Sequence, residues 1–137
     1  MEDKNIIPGT YAYSLRVDAK TGEYSKLTFV QQLLEEFKQF YDRNDTLIHY
    51  FIYIEQSTVV KKIHIQGILW THAKLTPNEL TKMRQWWKRP AGHISFCSAR
   101  RVKSLAAYCS KDAGERSTNL SEDQIALIPK WLNTKQN

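Results

Sequence analysis

A chain of 137 residues with 42% hydrophobic content is long enough to bury the core of one compact domain and too short for two ordinary ones. Its formal charge of +6 and pI near 9.3 favour a polyanionic partner, because clustered Lys and Arg gain affinity for phosphate by releasing counterions. No long apolar run suits a membrane span, and the polar start Met1-Glu2-Asp3-Lys4-Asn5 lacks the pattern of a secretory signal. The chain is therefore expected to work inside the cell, with no membrane partner. Cys97 and Cys109 fall outside any CxxC pattern and read as buried free thiols in a reducing compartment. In that setting the sequons at Asn44 and Asn119 are chance matches.

Residues 10–18 alternate Tyr11, Tyr13, Leu15 and Val17 with Ala12, Ser14, Arg16 and Asp18, the period of a half-buried strand. Thr28 and Gln31 make a capping box ahead of Val30, Leu33, Leu34, Phe37 and Tyr41, which predicts a long helix ending near Asn44. Residues 47–56 and 61–72 are two β-rich runs with a short connection, most simply an antiparallel hairpin. Thr76-Pro77-Asn78-Glu79 joins a capping box to a proline at the first helical position, so a second helix runs from there to about Lys88. Residues 93–99 read as a fourth strand, and Val102, Leu105, Ala106 and Cys109 as the buried side of a short helix. Ser121 and Gln124 cap a last helix carrying Ile125, Leu127, Ile128, Trp131 and Leu132. The order β-α-β-β-α-β-α predicts an α+β fold, an antiparallel central sheet with flanking helices in the ferredoxin-like and RRM-like class.

The run Lys61-Lys62-Ile63-His64-Ile65-Gln66-Gly67-Ile68-Leu69-Trp70 carries the most chemistry. Alternation puts His64 and Gln66 on one face and Ile63, Ile65 and Leu69 on the other. If the hairpin pairs Glu55 with His64, the same register pairs Ile54 with Ile65, Ile52 with Gly67 and Tyr50 with Leu69 on the core face. The hydrophobic pattern supports it. Opposed side chains have Cβ atoms about 5 Å apart, so Glu55, His64 and Gln66 can share one ion. A carboxylate, an amide oxygen and one imidazole form a mostly hard set that favours Mn²⁺ or Mg²⁺, the imidazole tipping it toward Mn²⁺. His49 shares the face of Glu55 but lies about 20 Å along the strand, and His72 and His93 have no comparable partners.

Tyr108 and Lys111 are three apart on a predicted helix and project from neighbouring turns. A tyrosine hydroxyl, with a pKa of about 10, needs a nearby cation or a polarised phosphate to attack phosphorus, and Lys111 and the ion can supply both. Arg100, Arg101 and Lys103 crowd the start of that helix, where the macrodipole disfavours positive charge, which points to DNA phosphate as their use. Each signal also has a plainer structural reading. His64 alone is a hydrogen-bonded surface residue, Tyr108 alone an amphipathic core edge, and Arg100 and Arg101 partners of Glu115, Glu122 or Asp123. In Trp86-Trp87 one ring is expected in the core and the other half covered.

Taken together, Glu55, then His64-Ile65-Gln66-Gly67, then Tyr108-Cys109-Ser110-Lys111-Asp112 closely resemble the replication-initiator (Rep) endonuclease domain of circular single-stranded DNA viruses, especially the circovirus-like branch. These are HUH endonucleases, here with a His-hydrophobic-Gln variant of the metal motif. The resemblance implies that Glu55, His64 and Gln66 hold a divalent ion while Tyr108 attacks the scissile phosphate and becomes joined to the DNA 5′ phosphate. A free 3′ hydroxyl is left to prime rolling-circle replication, and Lys111 orients or neutralises the phosphate. It further implies a single-stranded origin segment on a stem-loop as substrate, and a DNA-contacting first strand around Tyr13-Ser14-Leu15, which departs from the usual Phe-Thr-Leu. Tyr13, Ser14, Arg16, Lys62, Arg100, Arg101 and Lys103 are the expected DNA contacts.

Rep proteins of this type continue into a helicase domain, and no GxxxxGK[ST] sequence occurs here. Residues 1–118 therefore read as the nuclease domain, and 119–137 as a closing helix and the start of a connector to a helicase domain. In a virus of eukaryotes the place of work is the host nucleus. Two alternatives stand beside this reading. One is a non-catalytic RRM-like module whose sheet aromatics Tyr13, Phe51 and Tyr53 stack bases. The other is a plasmid replication or mobilisation nuclease with the same chemistry.

Overall fold

A computed structural model describes residues 5–19, 32–33, 35–36, 39, 47–56, 63–89, 91–109 and 115–130. Its elements are β1 (Tyr11–Ala19), β2 (Leu47–Gln56), β3 (Ile63–Thr71), α1 (Pro77–Trp87), β4 (Ala91–Ser98), α2 (Val102–Cys109), β5 (Glu115–Thr118) and α3 (Glu122–Ala126). The strands form one five-stranded sheet in the order β4-β1-β3-β2-β5, and every neighbouring pair is antiparallel. The first four strands thus follow the ferredoxin-like order, and the α+β class expected from the sequence is the observed one. Among the predicted first helix's residues, Gln32, Leu33, Glu35, Glu36 and Gln39 are helical, while its capping box at Thr28 and Gln31 lies outside the described residues.

Alternation along the strands builds two cores, one on each face of the sheet. On the first face Tyr13, Leu15, Val17, Ile52, Ile54, Ile63, Ile65 and Leu69 meet Leu33, Leu75, Met83 and Trp87. On the second face Ala12, Phe51, Tyr53, Ile68 and Trp70 meet Val102, Ala106 and Cys109 of α2, together with Ile6, Ile7 and Leu120. Trp87 is fully buried and Trp86 partly so, the two rings edge to face at 4.9 Å, as expected for an adjacent pair. Leu120, with Ile125 and Ile128 packed beside it, ties the segment after residue 118 to the same core.

Both capping boxes on described residues form. Thr76 accepts from the Glu79 N–H while Glu79 accepts from the Thr76 N–H, and Ser121 and Gln124 do the same. Three expectations fail. The last helix ends at Ala126 with Leu127 as its C-cap, short of the Leu127 and Ile128 it was expected to carry, while Trp131 and Leu132 lie outside the described residues. β5 was not expected, because Glu115-Arg116-Ser117-Thr118 is short and polar and shows no alternation; it is an edge strand recruited by β2. Cys97 is exposed rather than buried, while Cys109 is buried. The reason is that β4 is the other edge, and α2 covers β3 and β2 but leaves the second face open over β4 and the far end of β1. Among the described residues no helix is long and apolar enough to cross a membrane.

Candidate active site

The hairpin register expected from the hydrophobic pattern is the one observed: Glu55 opposes His64, Ile54 opposes Ile65, Ile52 opposes Gly67 and Tyr50 opposes Leu69. Gln66 lies two residues beyond His64 and so on the same face. The Glu55 side chain lies outside the described residues, and its place in the register is what the structure gives. On the other side of β3, Asp18 of β1 opposes His64 and Arg16 opposes Gln66. Asp18 in turn opposes His93 of β4. A single row across four strands therefore reads His93, Asp18, His64, Glu55 on the second face, with His93 exposed and Asp18 and His64 half-buried. His93 does have a facing partner, contrary to the expectation that it had none, because β1 inserts between β4 and β3.

Sequence reasoning missed Asp18. Its Oδ1 lies 2.7 Å from His64 Nδ1 and accepts a hydrogen bond from Arg16 Nε at 3.1 Å. Partial burial pushes the Asp18 carboxyl up, but the hydrogen bond to His64 and the adjacent Arg16 guanidinium outweigh it and hold the group below the ordinary aspartate value. An ionised carboxylate can only accept, so Nδ1 carries the shared hydrogen, and in the neutral ring the lone pair is left on Nε2. Alternation along β1 marks Asp18 as polar and outward-facing, but no local pattern identifies its partner, which lies 46 positions away.

Among the described residues no three His, Cys, Asp or Glu side chains are placed to hold a metal. The expected set differs from such a trio in two ways: it includes the amide of Gln66, and its Glu55 carboxylate lies outside those residues. What is described fits a hard divalent ion. His64 has Nδ1 engaged by Asp18, which leaves Nε2 as the nitrogen that could coordinate among the described residues. Gln66 is only 7% exposed, and its carboxamide oxygen is a hard donor of the kind such an ion takes.

Tyr108 projects from α2, the helix that covers part of this face, and is 37% exposed although its neighbours Ala107 and Cys109 are buried. Lys111, like Ser110 and Asp112, lies outside the described residues, as does Lys62. Arg100 and Arg101 are exposed just before α2 and Lys103 is partly so. Arg16 is exposed but paired with Asp18, and Ser14 is partly buried on the second face. Among the described residues, Tyr13 is the proposed DNA contact that the structure places elsewhere. It belongs to the first face, 2% exposed, stacked on Phe96 at 5.5 Å, and its hydroxyl accepts from the Leu75 N–H at 2.8 Å. The aromatic residue at that position is a core residue, because it shares the inward face of β1 with Leu15 and Val17. Phe51 and Tyr53 are also buried, at 1% and 8% exposure, so none of the three aromatics offers a base-stacking platform. A cleft of about 290 Å³ between the start of β1 and the start of α2 adds residues that the sequence did not single out, among them Tyr11 and Lys74 beside Ser98 and Arg100.

No family model matches the sequence, and no curated protein sequence matches it. Among solved structures, the chain is similar to the solution structure of the C-terminal domain of the MgtC protein from Mycobacterium tuberculosis, with 15% identity and a TM-score of 0.51 over 70% of this chain and 95% of that one. At that identity the likeness speaks to the fold alone.

Proposed function

We propose that this protein is a divalent-metal-dependent, sequence-specific single-stranded DNA endonuclease and strand transferase that starts and ends rolling-circle replication. The observation that carries the reading is the register that sets Glu55 opposite His64, with Gln66 on the same face and Tyr108 exposed on the helix laid over that face. Mn²⁺ or Mg²⁺ held by Glu55, His64 and Gln66 would polarise the scissile phosphate. Tyr108 supplies the nucleophile: its Oη forms a bond to phosphorus as the bond from phosphorus to the 3′ oxygen breaks, and the phenolic proton leaves with the 3′ hydroxyl. The product is a 5′-phosphotyrosine and a free 3′ end, and attack by a 3′ hydroxyl on the phosphotyrosine rejoins the strand. Lys111 is assigned to neutralising charge on the phosphate. Arg100, Arg101 and the cleft with Tyr11 and Lys74 would hold the backbone of the single strand, displayed on an origin stem-loop. A helicase domain is the expected companion, and the host nucleus the place of work for a virus of eukaryotes.

The competing module that only binds loses its main support, since Tyr13, Phe51 and Tyr53 are buried. The test is incubation with a labelled single-stranded oligonucleotide library in Mn²⁺, scored on a denaturing gel for a covalent protein–DNA adduct. The wild type is expected to give an adduct, and Tyr108→Phe or a chelator to abolish it; sequencing the trapped strands then gives the origin preference. Binding without an adduct at any sequence would sink the nuclease reading in favour of a binding module.

A further inference from the structure

Strand pairing gives His64 a partner whose position is set by the middle of the sheet. Asp18 faces it across the β1–β3 pairing with Oδ1 at 2.7 Å from Nδ1, and the same oxygen accepts from Arg16 Nε at 3.1 Å. β1 is hydrogen-bonded on both sides, to β3 and to β4, so the carboxylate is carried by paired strand and not by a loop. Without it the imidazole could turn about its χ2 bond and carry its proton on either nitrogen. With it, the hydrogen sits on Nδ1 and the ring plane is tied to β1. A ligating histidine whose other nitrogen donates to a carboxylate is the arrangement that orients the ring and raises its basicity toward a metal.

We propose that Asp18 is a positioning residue of the metal site, holding His64 in the tautomer and ring orientation that present Nε2 to a divalent ion shared with Glu55 and Gln66. This rests on the reading of His64 as a ligand, and it assigns Asp18 to the ring and not to the ion. Arg16 acts one step further out, by fixing the carboxylate; its role as a DNA contact is secondary to that pairing.

The experiment begins on metal-free protein with nitrogen-15 NMR of the histidine rings at about pH 8, where imidazole is neutral. Wild-type His64 is expected to show a protonated Nδ1 and a bare Nε2. Asp18→Ala should give a mixture of tautomers, and Arg16→Ala should keep the wild-type pattern. Asp18→Asn preserves side-chain volume and serves in place of the alanine variant if that one folds poorly. Mn²⁺ titration followed by electron paramagnetic resonance should then show the Asp18 variants weaker by about 10- to 100-fold. A bare Nδ1 in the wild type, or an unchanged tautomer in the Asp18 variants, overturns the proposal. Wild-type protein that binds no Mn²⁺ removes the metal reading and the role of Asp18 with it. Mn²⁺ binding of equal strength in wild type and variants removes the role of Asp18 alone and leaves the ligand set standing.

Discussion

Gly67 of β3 lies opposite Ile52 of β2. A Cβ built there would lie 2.3 Å from the Phe51 carbonyl oxygen and 2.8 Å from the Ile52 Cα, both backbone atoms that cannot swing aside. Gly67→Ala is therefore expected to push the two strands apart and destabilise the fold by about 1–3 kcal/mol, read as a lower urea midpoint. Because the same pairing holds Glu55 opposite His64 three register positions away, metal affinity should fall with it. The Tyr13 hydroxyl presents a second single-atom dependence, since it accepts a buried N–H from Leu75. Tyr13→Phe keeps the ring and strands that donor, at a cost of about 1–3 kcal/mol by equilibrium unfolding. Were Tyr13 a DNA contact instead, the same change would weaken oligonucleotide binding and leave stability alone.

Helix α1 shows how much a short element depends on its ends. Thr76 and Glu79 satisfy each other's backbone N–H groups, and Pro77 begins the helix where no N–H is required. Thr76→Ala should lower stability by about 1 kcal/mol in denaturant unfolding. The backbone N–H of Thr76, donated to the Glu79 carboxylate, holds that carboxyl below the ordinary glutamate value. A depressed carboxylate contributes stability that is complete above its unfolded pKa and is lost as pH falls through the folded one. Stability measured down through the acid range should therefore decline less steeply in Glu79→Gln than in the wild type. The two β edges differ as well. β5 pairs with β2 through four polar residues and closes that side, and on the opposite side β4 exposes Cys97 and His93.

Across the whole molecule, the sheet separates stability from chemistry. One face is packed by apolar residues and helices, and the other is roofed by α2 over part of its area, with His93 exposed and Asp18 and His64 half-buried in the row that Glu55 completes. The positive balance of +6 should make single-strand binding depend on salt, with a slope near 0.7 per phosphate neutralised. Replacing Arg100 and Arg101 together by alanine is expected to reduce that slope by about 1.4 in fluorescence-anisotropy titrations across a salt series. An unchanged slope would leave the two arginines without a role in phosphate binding.

What the sequence determined by itself is local and periodic. Alternation over residues 47–71 was enough to set the β2–β3 register, because sliding by one residue would turn Ile52, Ile54, Ile63 and Ile65 out of the core. Capping chemistry located the start of α1 to the residue, since side chain and backbone there satisfy each other within four positions. Tertiary structure decided whatever depends on which strand lies beside which. It inserted β1 between β4 and β3 and so gave His64 its carboxylate, recruited the polar β5 to an edge, and sent Tyr13 into the core while leaving Cys97 outside it. Those outcomes follow from pairings between distant segments and from where α2 ends its cover. No window of neighbouring residues contains that information.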